Sequence, residues 1–333
     1  MKESLTALEE RLQVVKELVD NSNKQSVLII QQHPGCGNDY MHFPPVRESI
    51  SNIIVFAEVS NPFQAEEILK VSSNRIDRFI LDLDNKRENS AAIIEKVKLY
   101  PLPSKLLFYS DFDVWGGAAV DFMTELEGDL RDKNILLYGH NYLSTRVLRR
   151  LLTVGAKVYA PLQNKCGRQF PLDNETIVQF ESDNLKDSDS YRGVYDIVVG
   201  SEILNSAGCV NNTIQTKSIF DIGLGNFTKE FINSASKCGS KVYRFDNRAG
   251  ISSMVLGLME TNYLVSKNMG SVQIGNIKVE SGGLLSEENT IIVDNAFAPS
   301  FIFGVADGRG LFKKELTQRN IEDLYIIKSL IKQ

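Results

Sequence analysis

NILLYGHNYLSTRVLRRLLTVGAKVYA, Asn134 to Ala160, reads as a strand, a helix and a second strand. NILLYG is an apolar run that stops at Gly139, a polar turn opens STRVLRRLLTVG as a helix, and AKVYA is again strand-like. A unit of this outline opens dinucleotide-binding domains, whose usual turn is G-x-G-x-x-G/A. The corresponding positions are Gly139, Asn141 and Ser144. Glycine allows the tight turn, and asparagine is the side chain most tolerant of positive φ. Serine is small enough for close helix–sheet packing and can cap. The amides of Asn141, Tyr142, Leu143, Ser144 and Thr145 are therefore expected to face a pyrophosphate, with the helix dipole adding attraction. His140 lies in the same turn, where it can donate to a phosphate, face a substrate or sit in solvent. The plainer alternative is a βαβ unit with no nucleotide.

An Asp or Glu usually follows the second strand and meets a free ribose hydroxyl. Here the chain runs Ala160-Pro161-Leu162-Gln163-Asn164-Lys165, with no carboxylate. Lys165 and Arg168 can receive a 2′-phosphate or stand as solvated loop cations. The expected cofactor is accordingly NADP or NAD, with NADP favoured.

Upstream, SVLIIQQ, NIIVFAEVS, RFILDLD and KLLFYSD are strands too apolar to face water on either side, which is how parallel sheets covered by helices read. Helices separate the last three, and the one after Ser60 is capped by Asn61 with Pro62 at its first position. A helix over about Gly117 to Leu130 leads into the central unit. Leu162 to Arg192 reads as loop with one edge strand. YDIVVGS, KSIFDIGLG and SKVYRFD are further strands, and Ile251 to Lys267 is a long apolar helix. The tail, VQIGNIKVESGGLLSEENTIIVDN, alternates and turns like a small antiparallel element before a closing helix. The fold class expected is α/β. An N-terminal α/β substrate domain (1–115) precedes a Rossmann-like, doubly wound parallel-sheet domain (116–268) and a C-terminal β-element (269–333).

Composition agrees. The 333 residues are 43% hydrophobic and 24% charged, an ordinary globular mixture of about two domains' length. A net charge of -5 gives no general pull toward nucleic acid or anionic lipid, and no apolar run suggests a membrane span. Cys36, Cys166, Cys209 and Cys238 are too scattered for a disulfide framework, which points to a reducing cytoplasm.

YSDFDVWGGAAVDFMTEL resembles the T-D-x-x-G junction of shikimate dehydrogenases, with Ser110, Asp111 and Gly116 in approximate correspondence. LLYGHNYLSTRVLRRLLTVGAKVY resembles the G-R-S-x-x-V-G stretch of methylene-tetrahydrofolate dehydrogenases. YDIVVGSEIL and SIFDIGLGNF resemble the strands that line the nicotinamide side in both. The whole is similar in pattern to the amino-acid-dehydrogenase-like superfamily over Lys105 to Lys267. The resemblance implies two domains, a nicotinamide cofactor and proton transfer at Asp111. The chain has no N-V-T-x-P-x-K, so the reading finds no counterpart of that family's catalytic lysine.

Ligands of open α/β sheets bind beyond the carboxyl ends of the strands. The catalytic candidates there are Asp111, Arg248 and Asp246, with Arg248 suited to grip a carboxylate in bidentate fashion. Alternatively, Asp246 to Ile251 is only a helix cap and Asp111 a surface loop residue. Cofactor contacts are expected from Gly139, His140, Asn141, Tyr142, Leu143, Ser144, Lys165, Ser201 and Gly223. His33, Cys36, Asp39 and His42 match no closed metal-site spacing, so that loop is expected to touch substrate and no metal is assigned. These residues together suggest an NAD(P)-dependent oxidoreductase acting on a small carboxylate or amino-acid-derived metabolite. The alternative is a non-redox enzyme or ligand-binding module on a degenerate Rossmann scaffold. The partners expected are a small-molecule substrate and further copies of the chain, with neither nucleic acid nor membrane, and the tail over 294–310 is expected to serve structure or dimer formation.

Overall fold

The structure is a computed structural model. It describes residues 3–32, 39–86, 88–104, 106–139, 141–160, 169–171, 177–179, 185–187, 193–200, 214–223, 225–245 and 248–331. The chain divides into two compact units, Met1–Met254 and Val255–Gln333.

The first unit opens with helix α1 (Leu5–Asp20), which buries Leu8, Leu12 and Val15. Then come β1 (Gln25–Gln32), the short β2 (Met41–His42) and β3 (Arg47–Glu48), and β4 (Asn52–Val59). α2 (Pro62–Ser72), β5 (Arg78–Asp82), α3 (Ser90–Lys98) and β6 (Leu106–Tyr109) follow. The apolar strands stand side by side as a parallel sheet in the order β4-β1-β5-β6. β2 and β3 pair antiparallel with β4. α2 begins as its sequence dictates, with Pro62 in its first turn and the Asn61 side chain accepting the Gln64 N–H.

Helix α4 (Asp111–Glu127) leads into a second sheet. Its elements are β7 (Asn134–Tyr138), α5 (Tyr142–Thr153), β8 (Lys157–Ala160), a small hairpin of β9 (Gln169–Pro171) and β10 (Ile177–Gln179), and β11 (Leu185–Asp187). β12 (Gly193–Gly200), β13 (Ile214–Asp221), α6 (Lys229–Lys237), β14 (Lys241–Arg244) and α7 (Arg248–Tyr263) complete it. The sheet runs β11-β8-β7-β12-β13-β14, with every pairing parallel. Numbered by appearance in the sheet, that is 3-2-1-4-5-6, the strand order of the dinucleotide-binding fold, whose switch point lies between β7 and β12.

Two expectations change. α4 starts at Asp111, six residues before the Gly117 read from sequence. Gly116, inside the helix, is a packing residue: a Cβ there would stand 2.6 Å from Arg146 Cβ, so α4 and α5 touch across a position that admits only hydrogen. The stretch 162–192 contains three short strands rather than one, of which β11 forms the sheet edge.

Gly200, at the carboxyl end of β12, is held in the same way. An added Cβ would lie 2.5 Å from Phe227 Cζ, and that ring is buried and packed on Phe231. Gly200→Ala is therefore expected to destabilise the chain by about 1–3 kcal/mol in urea unfolding. An unchanged midpoint would contradict this packing.

In the second unit, α7 ends in a π-helical turn at Leu264–Asn268. β15 (Ser271–Ile274) and β16 (Ile277–Ser281) form a hairpin through Gly275, at φ +59°, and Asn276. β17 (Ile291–Val293), β18 (Ile302–Val305) and helix α8 (Gln318–Leu330) follow. The sheet order is β15-β16-β17-β18. Its outer pairings are antiparallel, and β16 with β17 is parallel because the chain crosses back over 282–290 between them. α8 closes one face, burying Ile327 against Ile277, Val279, Ile291 and Val293.

Candidate functional site

The parallel strands of the first sheet end in one polar row. Gln31 of β1 stands opposite Glu58 of β4, Ile30 opposite Leu81 sets Gln31 level with Asp82, and Asp82 stands opposite Tyr109 of β6. The Gln31 amide donates to Glu58 at 2.9 Å, and the Tyr40 hydroxyl donates to the other Glu58 oxygen at 3.0 Å. The Tyr109 hydroxyl donates to Gln31 at 3.3 Å. Four apolar strands thus finish, at the same level, in groups that need polar partners.

Lys86 stands over this row. The chain leaves β5 at Asp82 and folds back so that Lys86 Nζ lies 2.7 Å from Asp82 Oδ2 and 2.7 Å from Asp111 Oδ2. The Asp82 side chain is fully buried, that of Lys86 3% exposed and that of Asp111 14%. Asp84, between them in sequence, accepts from the Ser110 hydroxyl and the Phe112 N–H, both at 2.7 Å, and so pins the start of α4. Ser110 also caps α4 through the Asp113 N–H. Asp111 Oδ1 is buried with no partner in hydrogen-bond geometry among the described residues, and the Tyr109 hydroxyl approaches the Asp111 carboxylate. A buried carboxylate oxygen left without a donor is costly, which makes it a natural acceptor for a ligand.

Burial pushes the Asp82 carboxyl up to about 6; the Lys86 ammonium opposes that, and the neighbouring Asp111 charge reinforces it. Burial alone would pull Lys86 down, but Asp111 and Asp82 override it and hold its pKa above that of an ordinary lysine. Burial also drives Tyr109 well above the usual phenol, helped by the charges of Asp111, Asp82 and Asp84. At neutral pH Lys86 is therefore charged and Tyr109 is not.

A carboxyl group whose pKa is higher in the folded chain holds its proton more tightly there. Asp82 adds stability below the ordinary carboxylate range and loses that contribution as pH rises through about 6. Asp82→Asn removes that titration. Between pH 5 and pH 7 the variant is expected to lose about 1 kcal/mol less than the parent in denaturant unfolding. Parallel pH profiles would contradict the assignment.

The turn after β7 lies beside this cluster. Gly139 has φ +125°, a conformation that disfavours any side chain. Asn141 and Ser144 form a reciprocal cap: the Ser144 N–H donates to Asn141 Oδ1 at 2.9 Å and the Asn141 N–H donates to Ser144 Oγ at 3.3 Å. The Thr145 N–H donates to the Asn141 carbonyl. Three of the five amides expected to face a diphosphate are thus engaged within the turn, leaving those of Tyr142 and Leu143 in the first helical turn. The Tyr142 ring stacks on Phe112 with centroids 5.7 Å apart, and Lys86 Nζ lies 5.2 Å from the Phe112 centroid. Arg146 Nε pairs with Asp113 at 2.7 Å. The carboxyl ends of β5 and β7 are joined through these rings.

Asp111 stands in this cluster, with Tyr142 beside it and Gly139, Asn141, Leu143 and Ser144 in the adjoining turn. Gly223 is exposed after β13, in a loop that Asp221 organises by accepting from the Gly225 and Asn226 amides. Arg248 is the first residue of α7; its side chain, and the expected residues His140, Lys165, Ser201 and Asp246, lie outside the described residues, as do His33 and Cys36. His42 faces Glu3 at 3.2 Å and Asp39 accepts from Gln64 at 3.4 Å. Among the described residues no group of three or more His, Cys, Asp or Glu is placed to hold a metal, and no helix is long and apolar enough to cross a membrane.

The sequence shows no counterpart of the catalytic lysine that the resemblance implies; the structure pairs Asp111 with Lys86, from the loop after β5. Lys86, Asp82 and Asp84 were missed in sequence. The available signal was Asp82-x-Asp84-x-Lys86, three charges that close the apolar run Phe79–Leu81.

No family model matches the chain, and no curated protein is similar to it. Among solved structures it is similar to shikimate dehydrogenase 1 from Peptoclostridium difficile, at 12% identity over 72% of this chain and 90% of that one, with a TM-score of 0.37. Shikimate dehydrogenase from Aquifex aeolicus gives 14% identity over 74% and 94%, with a TM-score of 0.37. The leucine-bound hetero-hexameric glutamate dehydrogenase from Thermus thermophilus gives 11% over 73% and 69%, with a TM-score of 0.41. Likeness of this degree adds nothing to the strand order above, on which the fold class rests.

Proposed function

We propose that the chain is an NAD(P)-dependent oxidoreductase that transfers a hydride to or from a small carboxylate or amino-acid-derived metabolite. The observation that carries this reading is the buried Lys86 ammonium paired with Asp111, whose second oxygen is without a hydrogen-bond partner among the described residues, one stacked aromatic pair away from the turn after β7.

The residues present fit a dinucleotide. Gly139 keeps the turn clear of a side chain, and the Tyr142 and Leu143 amides are left by the cap for a diphosphate at the positive end of α5. When bound, the nicotinamide supplies the hydride acceptor or donor. Lys86 donates a hydrogen bond to the substrate oxygen or nitrogen and opposes negative charge on it. Asp111 holds Lys86 in place and, through Oδ1, accepts or returns the proton of the reacting group. Asp82 and Asp84 position Lys86 and the first turn of α4. Gln31, Glu58 and Tyr40 continue the polar row as substrate contacts.

The self-satisfied cap of Asn141 and Ser144 favours a second reading, a ligand-binding module or non-redox enzyme on the same scaffold. A panel of small hydroxy acids, keto acids and amino-acid derivatives, followed by nicotinamide absorbance with NADPH and NADH, separates the two. Turnover of at least one compound supports the oxidoreductase. Tight binding of a panel member without change in the nicotinamide supports the module.

A further inference from the structure

We propose that Glu58 selects the substrate: the molecule bound over the polar row carries an amino group at the end remote from its reacting group, and Glu58 receives it. This rests on the reading of the row as a substrate site and narrows the substrate to the amino-bearing class.

The row is one surface. Glu58, Gln31, Asp82 and Tyr109 stand level on neighbouring strands, so their side chains share a face of the sheet. Two residues back on that face, Phe56, Ile29, Ile80 and Leu107 are buried. The row therefore rests on an apolar floor, and Glu58 is itself half-buried.

Charge does not balance along it. Asp82 and Asp111 share the Lys86 ammonium. Asp84 accepts only from the Ser110 hydroxyl and two backbone-level neighbours of α4 by way of the Phe112 N–H. Glu58 meets neutral donors, the Gln31 amide at 2.9 Å and the Tyr40 hydroxyl at 3.0 Å. Nearby cations are taken: His42, opposite Glu58 in register, turns to Glu3 at 3.2 Å, and Arg146 pairs with Asp113. Among the described residues, Glu58, Asp82, Asp84 and Asp111 thus have one ammonium between them. A half-buried carboxylate without a cation is costly. The two donors on Glu58 fix its direction and fill two of its roughly four acceptor sites. The sites left suit an ammonium, which brings donors and opposite charge together, whereas a second carboxylate there would be repelled.

Spacing sets where the nitrogen lies. β4 and β5 flank β1, so Glu58 and Asp82 stand two strands apart, about 10 Å across the sheet. Lys86 and Asp111 lie on the Asp82 side. Gln31 fills the gap, its Oε1 3.3 Å from the Tyr109 hydroxyl. A substrate hydroxyl that accepts from Lys86 and donates to Asp111 Oδ1 is therefore separated from Glu58 by most of that width. An amino group on the adjacent carbon cannot reach Glu58; one several carbons away can.

The probes are hexanol, its ω-amino derivative and norleucinol, whose amino group sits beside the hydroxyl-bearing carbon. All three offer a hydroxyl to Lys86 and Asp111 and differ only in the nitrogen. Dissociation constants come from NMR titration of the full chain without nicotinamide, so failure here is distinguishable from failure of the oxidoreductase reading. The ω-amino alcohol is expected to bind about tenfold or more tightly than either of the others, the range of a hydrogen bond to a charged group. Glu58→Gln keeps the side chain's shape, removes its charge and should abolish that advantage. The proposal is overturned if hexanol or norleucinol binds within about threefold of the ω-amino alcohol, if none of the three saturates, or if the preference survives in Glu58→Gln. Should that variant fail to fold, the ranking in the parent decides.

Discussion

Lys86→Met is expected to cost about 3–5 kcal/mol of stability at pH 7, because it leaves two buried carboxylates facing each other without their cation. Asp82 already holds its proton up to about 6, so at pH 5 its share of the uncompensated charge is largely gone. The loss at pH 5 should be smaller by at least 1 kcal/mol. Denaturant unfolding of parent and variant at both values reads this directly. An equal loss at both pH values would mean that Lys86 packs rather than pairs, and a loss under about 1 kcal/mol would place the cluster in the range of exposed ion pairs.

Asp111→Asn should leave the fold in place and remove turnover. The amide is nearly isosteric, and Lys86 keeps Asp82 as its counter-ion. What is lost is the oxygen that moves the proton, so kcat is expected to fall about 10²–10⁴-fold, with cofactor affinity within about twofold of the parent. The measurement is steady-state turnover on whichever panel compound reacts. A kcat within threefold of the parent would remove Asp111 from the chemistry and leave it a structural partner of Lys86.

Much of the architecture was legible because parallel strands buried on both faces write themselves as unbroken apolar runs: VLII, IIVFA and FILD need no tertiary information. The turn at Gly139 was legible for the same local reason, and so was the cap at Asn61. What escaped reading depends on partners distant in sequence. β2 and β3 are two residues each and exist only through β4. The start of α4 at Asp111, ahead of Gly116, follows from Asp84 and from α5, against which Gly116 packs. Lys86 meets Asp111, 25 residues on, only because the loop after β5 crosses toward the start of α4. Residue spacing carries no record of such a crossing. Asp111 was singled out by resemblance, and the reason it is buried, a lysine from another strand end, became visible only in three dimensions.

The most direct test is a titration of the purified chain with NADPH and NADH, followed by nicotinamide fluorescence. Saturable binding of one or both below about 1 mM, the upper end of ordinary Michaelis constants, is expected. No binding of either at millimolar cofactor would contradict the oxidoreductase reading and leave the Lys86–Asp111 pair to some other chemistry.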